Sequence, residues 1–267
     1  MNSVLLHVLI LWAVLATALG LLWLFRQLGV SLAPLPGAGV FGFIGAAFGV
    51  VIGLTVYFAS QHYMTVRTDA QGEATQLATI SAMSEAFPAR AGSLIRRDVY
   101  CYVTDVIDDE WPAMEGGDER GSPKVDARLA ALDDELLHVG QHNPPQPSTW
   151  YSNAISAAIT AEQDRGQRLL LGASAQIPNV MWVLVYFGAA LMVVFALFFH
   201  MKSRRQLVWM TVAVIIMLTV LTGVLAALDH PTQRPFGIGP QIMRTLQTRL
   251  SNGLPISSAI ASSAAKC

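Results

Sequence analysis

Four stretches of this chain contain no Asp, Glu, Lys or Arg: residues 4–25, 40–60, 177–200 and 207–228. Each is about 20 residues or slightly longer, the length a helix needs to cross a hydrocarbon core roughly 30 Å thick. Lipid offers no water to the backbone, so a spanning segment of this composition must be helical. The stretches therefore predict four transmembrane helices. A chain that is 53% hydrophobic and 13% charged is also too apolar for an ordinary soluble domain. The first stretch carries Ala16-Thr17-Ala18, which loosely resembles a signal-peptide cleavage site. It has no basic region before it, and its apolar run exceeds the usual length of about 7–15 residues, so it reads as a membrane helix.

The second stretch opens the segment 37–87, around which the rest of the chain is organised. Gly45, Gly49 and Gly53 recur every four residues, with Gly42 and Ala46 beside them. In water each interior glycine would cost a helix roughly 1 kcal/mol relative to alanine. In lipid a face of small residues lets another helix approach closely. Two uses follow: packing within or between subunits, or lining a pore. Thr55, Tyr57 and Ser60 are the polar groups of the same helix, available for hydrogen bonds between helices or for a pore wall. Beyond Ser60 nothing breaks the helix until Phe87-Pro88, so one long helix leaves the membrane. Pro88 ends it, because proline disfavours the helical state in the residue before it.

Outside the membrane, residues 94–114 carry one apolar stripe of Ile95, Val99, Tyr102, Val103, Val106 and Ile107 at helical spacing. Residues 125–139 carry another, of Val125, Leu129, Leu132 and Leu136. Ser148 and Thr149 suit the N-cap of a helix over 150–171 that runs on towards the membrane at Ile177-Pro178. These stripes can be buried only against each other, as an antiparallel helical bundle. The fold class is all-α: four transmembrane helices, with a bundle formed by extensions of the second and third plus two intervening helices. The expected organisation is a hairpin over 1–60, the bundle over 61–176, a second hairpin over 177–228 and a tail over 229–267. Pro240 opens a short amphipathic helix in that tail, with Ile242, Met243, Leu246 and Leu250 on one side.

Orientation follows from basic residues in the short loops. Arg26 lies between the first two spans, and Lys202, Arg204 and Arg205 lie between the last two. Both loops are therefore expected in the cytoplasm, with residues 61–176 and both termini outside a bacterial inner membrane. Arg67, Arg165 and Arg168 flank the long segment, but long segments follow charge rules poorly. Cys101 and Cys267 fall on one side, and two cysteines so placed specify no disulfide framework.

The motifs of enzymes are absent: no Gly-x-Ser-x-Gly, phosphate-binding glycine loop, His-Glu-x-x-His or Cys-x-x-Cys occurs. Asp105, Asp108, Asp109 and Glu110 form the one concentration of carboxylates. Such oxygens suit a hard cation, but Asp105, Asp108 and Asp109 lie on one helix and read as its solvated face. No enzymatic activity, metal, cofactor or nucleic-acid partner is expected. The spans carry none of the ionisable residues that mark proton-driven pumps, whereas a passive channel can be lined by apolar and hydroxyl groups.

Several landmarks occur together: the glycine-rich second span, Glu110-Trp111-Pro112-Ala113-Met114, Pro178-x-x-x-Trp182, and Leu228-Asp229 followed by Pro235-Phe236-Gly237. In this order they resemble the bacterial bestrophin-like membrane proteins, a family defined mainly as a domain of unknown function. The ending departs from that pattern, since Thr232-Gln233-Arg234 intervenes between Pro231 and Pro235-Phe236. The resemblance implies an oligomeric anion channel gated through a helical domain outside the bilayer. It also implies that the second membrane helix lines the pore, which here is the face of Gly45, Gly49 and Gly53. It further implies a cytosolic helical domain, opposite to the side indicated by the short-loop charges, which are followed here. The expected function is a homo-oligomeric, bestrophin-like anion channel in a lipid bilayer. The alternative is a non-conducting scaffold or accessory subunit whose helical bundle docks a protein partner.

Overall fold

The computed structural model describes residues 3–28, 38–142, 148–198, 204–233, 237–253 and 267. Lys202 and Phe236, singled out above, lie outside the described residues. In chain order the helices are α1 (Ser3–Gln27), α2 (Ala38–Met83), α3 (Ala89–Asp105), α4 (Trp111–Glu115), α5 (Pro123–His142), α6 (Ser148–Ala173), α7 (Asn179–Phe198), α8 (Arg204–Asp229) and α9 (Gln241–Gly253). A 3₁₀ turn at Ser84–Ala86 closes α2, and a π turn at Val106–Glu110 joins α3 to α4. No strand occurs among the described residues, and the chain is all-α. Four helices, α1, α2, α7 and α8, are long and apolar enough to cross a membrane.

The chain divides into two units, Met1–His62 with Ala175–His230, and Tyr63–Ser174 with Pro231–Cys267. Helix α2 contributes to both, as a single helix of 46 residues. It ends where the proline rule requires: Phe87 is extended ahead of Pro88.

The first unit turns large apolar side chains outward, among them Trp12, Phe43, Phe187, Trp209 and Ile216. In lipid this costs nothing, and the helices instead associate by close packing. Leu11, Leu15, Ala189, Val193 and Leu218 form one buried cluster, and Ile52, Trp182, Val185, Leu225 and Ala226 belong to another. Gly188 of α7 receives the ring of Phe48 of α2 so closely that a Cβ there would overlap it. Asp229 ends α8 and satisfies the start of the third span. Its carboxylate accepts Ile177 N–H (2.6 Å) and Trp182 Nε1–H (3.2 Å), and its carbonyl accepts Gln176 N–H (3.1 Å). His7 of α1 stacks on Trp182 at 3.8 Å, and its Nδ1 lies 2.6 Å from the Tyr186 hydroxyl. It is a helix-facing polar residue, as its place near the start of α1 suggests.

The second unit has a single large apolar core. Val66, Ala70, Leu77 and Ile80 of α2 share it with Ile95, Val99, Tyr102 and Val103 of α3. Leu129, Leu132 and Leu136 of α5, Ala154 and Ala157 of α6, and Met243, Leu246 and Leu250 of α9 complete it. The 94–114 segment is not the uninterrupted α-helix its stripe predicts. Pro112 lacks an N–H and its ring crowds the carbonyl four residues earlier, and the helix widens just upstream, with Trp111 N–H reaching Val106 O. A π turn accommodates one residue beyond the α-helical count. The inward face consequently passes to Glu110, Trp111 and Met114, all buried.

Candidate functional site

Two arrangements carry the chemistry of this chain, one on the membrane stretch of α2 and one inside the second unit. On α2, about 100° per residue places Gly42, Gly49 and Gly53 on one narrow face. All three are exposed, and a Cβ on any of them would meet nothing within 4 Å. Gly45 lies to the side of this face and is half-buried; its Cβ position is 3.4 Å from Met192 Cε of α7. Thr55 lies on the opposite side. It is buried, and its hydroxyl donates to Val51 O at 2.8 Å. Ser60 likewise donates to Tyr57 O at 2.7 Å. The close helix contact that glycine permits within the unit is therefore made at Gly188, a position the spacing of α2 did not reveal. The face of Gly42, Gly49 and Gly53 remains open. Of the basic loop residues, Arg26 and Arg204 fall at the ends of α1 and α8, and Arg205 is exposed.

The second arrangement is ionic and centred in the interior. Glu73 of α2, Glu110 of the π turn and Arg168 of α6 are fully buried. Arg168 donates through Nε to Glu73 (2.7 Å) and through Nη2 to Glu110 (2.7 Å). Its guanidinium also lies 5.1 Å over the Trp111 ring, a cation–π contact. The Tyr102 hydroxyl donates to Glu73 at 2.7 Å. Arg165 donates from Nε to Glu110 (3.1 Å) and from Nη2 to Asp126 (2.7 Å). Two buried carboxylates thus face two guanidiniums, the balance that lets charge persist away from water.

The titration of these groups follows from that balance. Burial alone pushes the Glu110 carboxyl up, but hydrogen bonds and charges from Arg165 and Arg168 outweigh it and hold the group below the usual carboxylate range. Burial alone would lower Arg168, yet Glu73 and Glu110 reverse this and hold it above its ordinary value. Tyr102 is pushed well above the usual phenol range, first by burial and then by Glu73.

The acidic segment 105–110 is therefore not the solvated face expected of it. Asp108 and Asp109 are exposed, but Asp105 and Glu110 are buried. Asp105 is bound by Lys124 Nζ at 2.7 Å and Arg128 Nε at 3.1 Å. Cations of the chain itself occupy the oxygens that a metal would need. Arg165 and Arg168, read from sequence as flanking charges, belong to the interior. Their signal was present in the register: Val66, Ala70, Glu73, Leu77 and Ile80 form one stripe, and so do Ala154, Ala158, Ala161, Arg165 and Arg168. A charge inside an apolar stripe asks for a buried partner.

A further correction concerns the cysteines. Cys101 and Cys267 are joined as a disulfide, with Cα atoms 5.3 Å apart and a sequence separation of 166. Cys101 is 2% exposed on α3. Arg128, which holds Asp105, also donates to the carbonyl oxygen of Cys267.

A family model described as a Bestrophin-like domain matches residues 8–243. The fold is similar to solved structures of a bacterial bestrophin homologue from Klebsiella pneumoniae in point-mutant forms. One has 12% identity and a TM-score of 0.67, with 93% of this chain and 99% of that chain covered. Another has 13% identity and a TM-score of 0.65, with 94% and 97% covered. A structure described as a membrane protein is similar at 12% identity and a TM-score of 0.66, with 94% and 98% covered. At such identities the likeness is one of fold. No curated protein matches the sequence.

Proposed function

The chain belongs to the bestrophin-like family, and from that membership we propose that this integral membrane protein assembles as a homo-oligomeric anion channel. The observation that carries the reading is the open face of Gly42, Gly49 and Gly53 on a membrane-length helix. A small-residue face left empty within the subunit suits a neighbouring subunit's helix or a water-filled path, and in an oligomer it serves both. Residues 40–60 carry no charged side chain, so a pore lined by them has no carboxylate ring to favour cations. Continuity of α2 into the core of the second unit supports that unit as the gating element. Planar-bilayer recording of the purified protein under a salt gradient tests this. The expected result is a conductance whose reversal potential moves towards that of the anion. Background current at all voltages overturns the channel and selects the non-conducting scaffold.

The second unit faces an extracytoplasmic compartment in this reading. Arg26, Lys202, Arg204 and Arg205 support it through the positive-inside rule, and the Cys101–Cys267 bridge supports it because disulfides persist in oxidising compartments. Arg120, 88% exposed at its side chain, offers a cleavage point. Trypsin added to sealed right-side-out vesicles is expected to cut there; protection of the unit overturns the orientation.

A further inference from the structure

We propose that Asp69 of α2 and Asp164 of α6 are a proton-binding pair, sharing one proton that stabilises the contact between the two helices and is lost as pH rises. Both residues belong to the second unit, so neither conduction nor a side of the membrane enters.

Asp69 is 8% exposed, and its Oδ2 is buried with no hydrogen-bond partner. A carboxylate oxygen stripped of water and left unpaired is costly. Asp164 brings a second carboxylate to the same place. Its Oδ2 lies against Gly72, three residues beyond Asp69 and so on the same face of α2. A Cβ at Gly72 would overlap that oxygen, so the missing side chain is what admits it.

The cations nearby are committed elsewhere. Glu73, the next carboxylate along α2, is held by Arg168 and the Tyr102 hydroxyl. Arg168 spans Glu73 and Glu110, and Arg165, which follows Asp164, spans Glu110 and Asp126. Arg67 is exposed and two residues from Asp69, on another side of α2. Among the described residues no three acidic, histidine or cysteine side chains converge as a metal's ligands would.

A proton meets the need that no cation does. On Asp69 it removes one of two like charges and turns an acceptor into a donor towards the other carboxylate. Burial, and then the charge of Asp164, push the Asp69 carboxyl up, and burial pushes Asp164 up as well. The folded pair thus keeps a proton above the ordinary aspartate value of about 3.9, where the unfolded chain has lost it. Its contribution to stability is fully present below that value and is lost as pH rises from there through the raised folded one. The sense is opposite to that of Glu110.

Thermal midpoints of the detergent-purified full chain from pH 4.5 to pH 8 test the pair. Wild type is expected to lose about 2–4 °C over that range relative to Asp69→Asn. The asparagine is uncharged and can donate to Asp164 at every pH, so the variant's midpoint at pH 8 should equal or exceed that of wild type. Asp164→Asn should flatten the profile in the same way. The wild-type slope retained in both variants overturns the proposal. So does an equal loss of stability in Asp69→Asn at every pH, which would make Asp69 an ordinary acceptor. Infrared spectra of the unaltered protein labelled with ¹³C-aspartate give a readout that needs no variant. A protonated aspartate band persisting above pH 5 is expected, and its absence overturns the pair. Calcium or magnesium chloride added at pH 8 is expected to leave the wild-type midpoint unmoved. A saturable rise that Asp69→Asn abolishes would make the pair a cation site and overturn the shared proton.

Discussion

The two units solve the problem of cohesion in opposite ways. The membrane unit turns Phe43, Phe187, Trp209 and Ile216 outward and keeps alanines such as Ala189 and Ala226 inside. The other unit gathers Trp111, Tyr102 and its leucines into one interior, together with buried charged side chains such as Glu73, Glu110, Arg165 and Arg168. In lipid the hydrophobic effect does not favour one helix against another, so small residues and close approach must do so. In water the hydrophobic effect dominates, and an interior so secured can hold charges, provided they are paired. The same helix, α2, obeys both rules along its length, glycine-faced in one stretch and apolar with buried Asp69 and Glu73 in the other.

The largest effect expected from breaking this contrast is in the charged interior. Arg168→Met removes the cation between Glu73 and Glu110 and leaves Glu73 buried with only the Tyr102 hydroxyl, while Glu110 keeps Arg165. A loss of about 3–5 kcal/mol is expected, read as a fall in the thermal or denaturant midpoint of the second unit. Retention of wild-type stability would mean that the network does not hold charge. In the membrane unit, Gly188→Ala drives a Cβ into the Phe48 ring, with an expected cost of about 1–3 kcal/mol in detergent unfolding. Asp229→Asn weakens the acceptor for Ile177 N–H and Trp182 Nε1–H by roughly 1.5–3 kcal/mol, and a blunted Trp fluorescence transition at lower temperature checks it.

Acid should discriminate between the units as well. The Glu110 carboxyl titrates lower in the folded protein than when unfolded, so its contribution is fully present above the unfolded value of about 4.3. It is lost as pH falls through the lower folded value. Unfolding of the second unit followed from pH 7 to pH 2 should therefore show a decline confined to the acidic end. Glu110→Gln should flatten that decline, and an unchanged slope in the variant would assign it elsewhere. The smallest effect on stability belongs to Gly49→Ala. Nothing stands within 4 Å of the added methyl, and helix propensity favours alanine by up to roughly 1 kcal/mol. Subunit stability should hold or rise slightly while oligomer yield or conductance changes. No change in either would remove the face from the assembly.

The four spans were legible because an uninterrupted apolar run needs no partner to be interpreted. The stripes on α3 and α5 were legible too, since their period is local. What required tertiary knowledge escaped. Glu73 and Arg168 lie 95 positions apart, and only the interruption of each stripe by a charge hinted at the pairing. Cys101 and Cys267 offered no local hint at all. Counting glycines along α2 identified a small face but not its state, because Gly188, on another helix, takes the intrasubunit contact. The π turn defeated periodicity for a different reason: it changes the count itself.

That turn has a consequence for how the segment can evolve. Between Val106 and Trp111 the winding is set by residue number more than by residue type, so Asp108 and Asp109, which face solvent, can be exchanged freely while their number cannot. Losing one of them would rewind the backbone to ordinary pitch and rotate the carboxylate of Glu110 away from Arg168. The segment should tolerate misspelling and reject deletion.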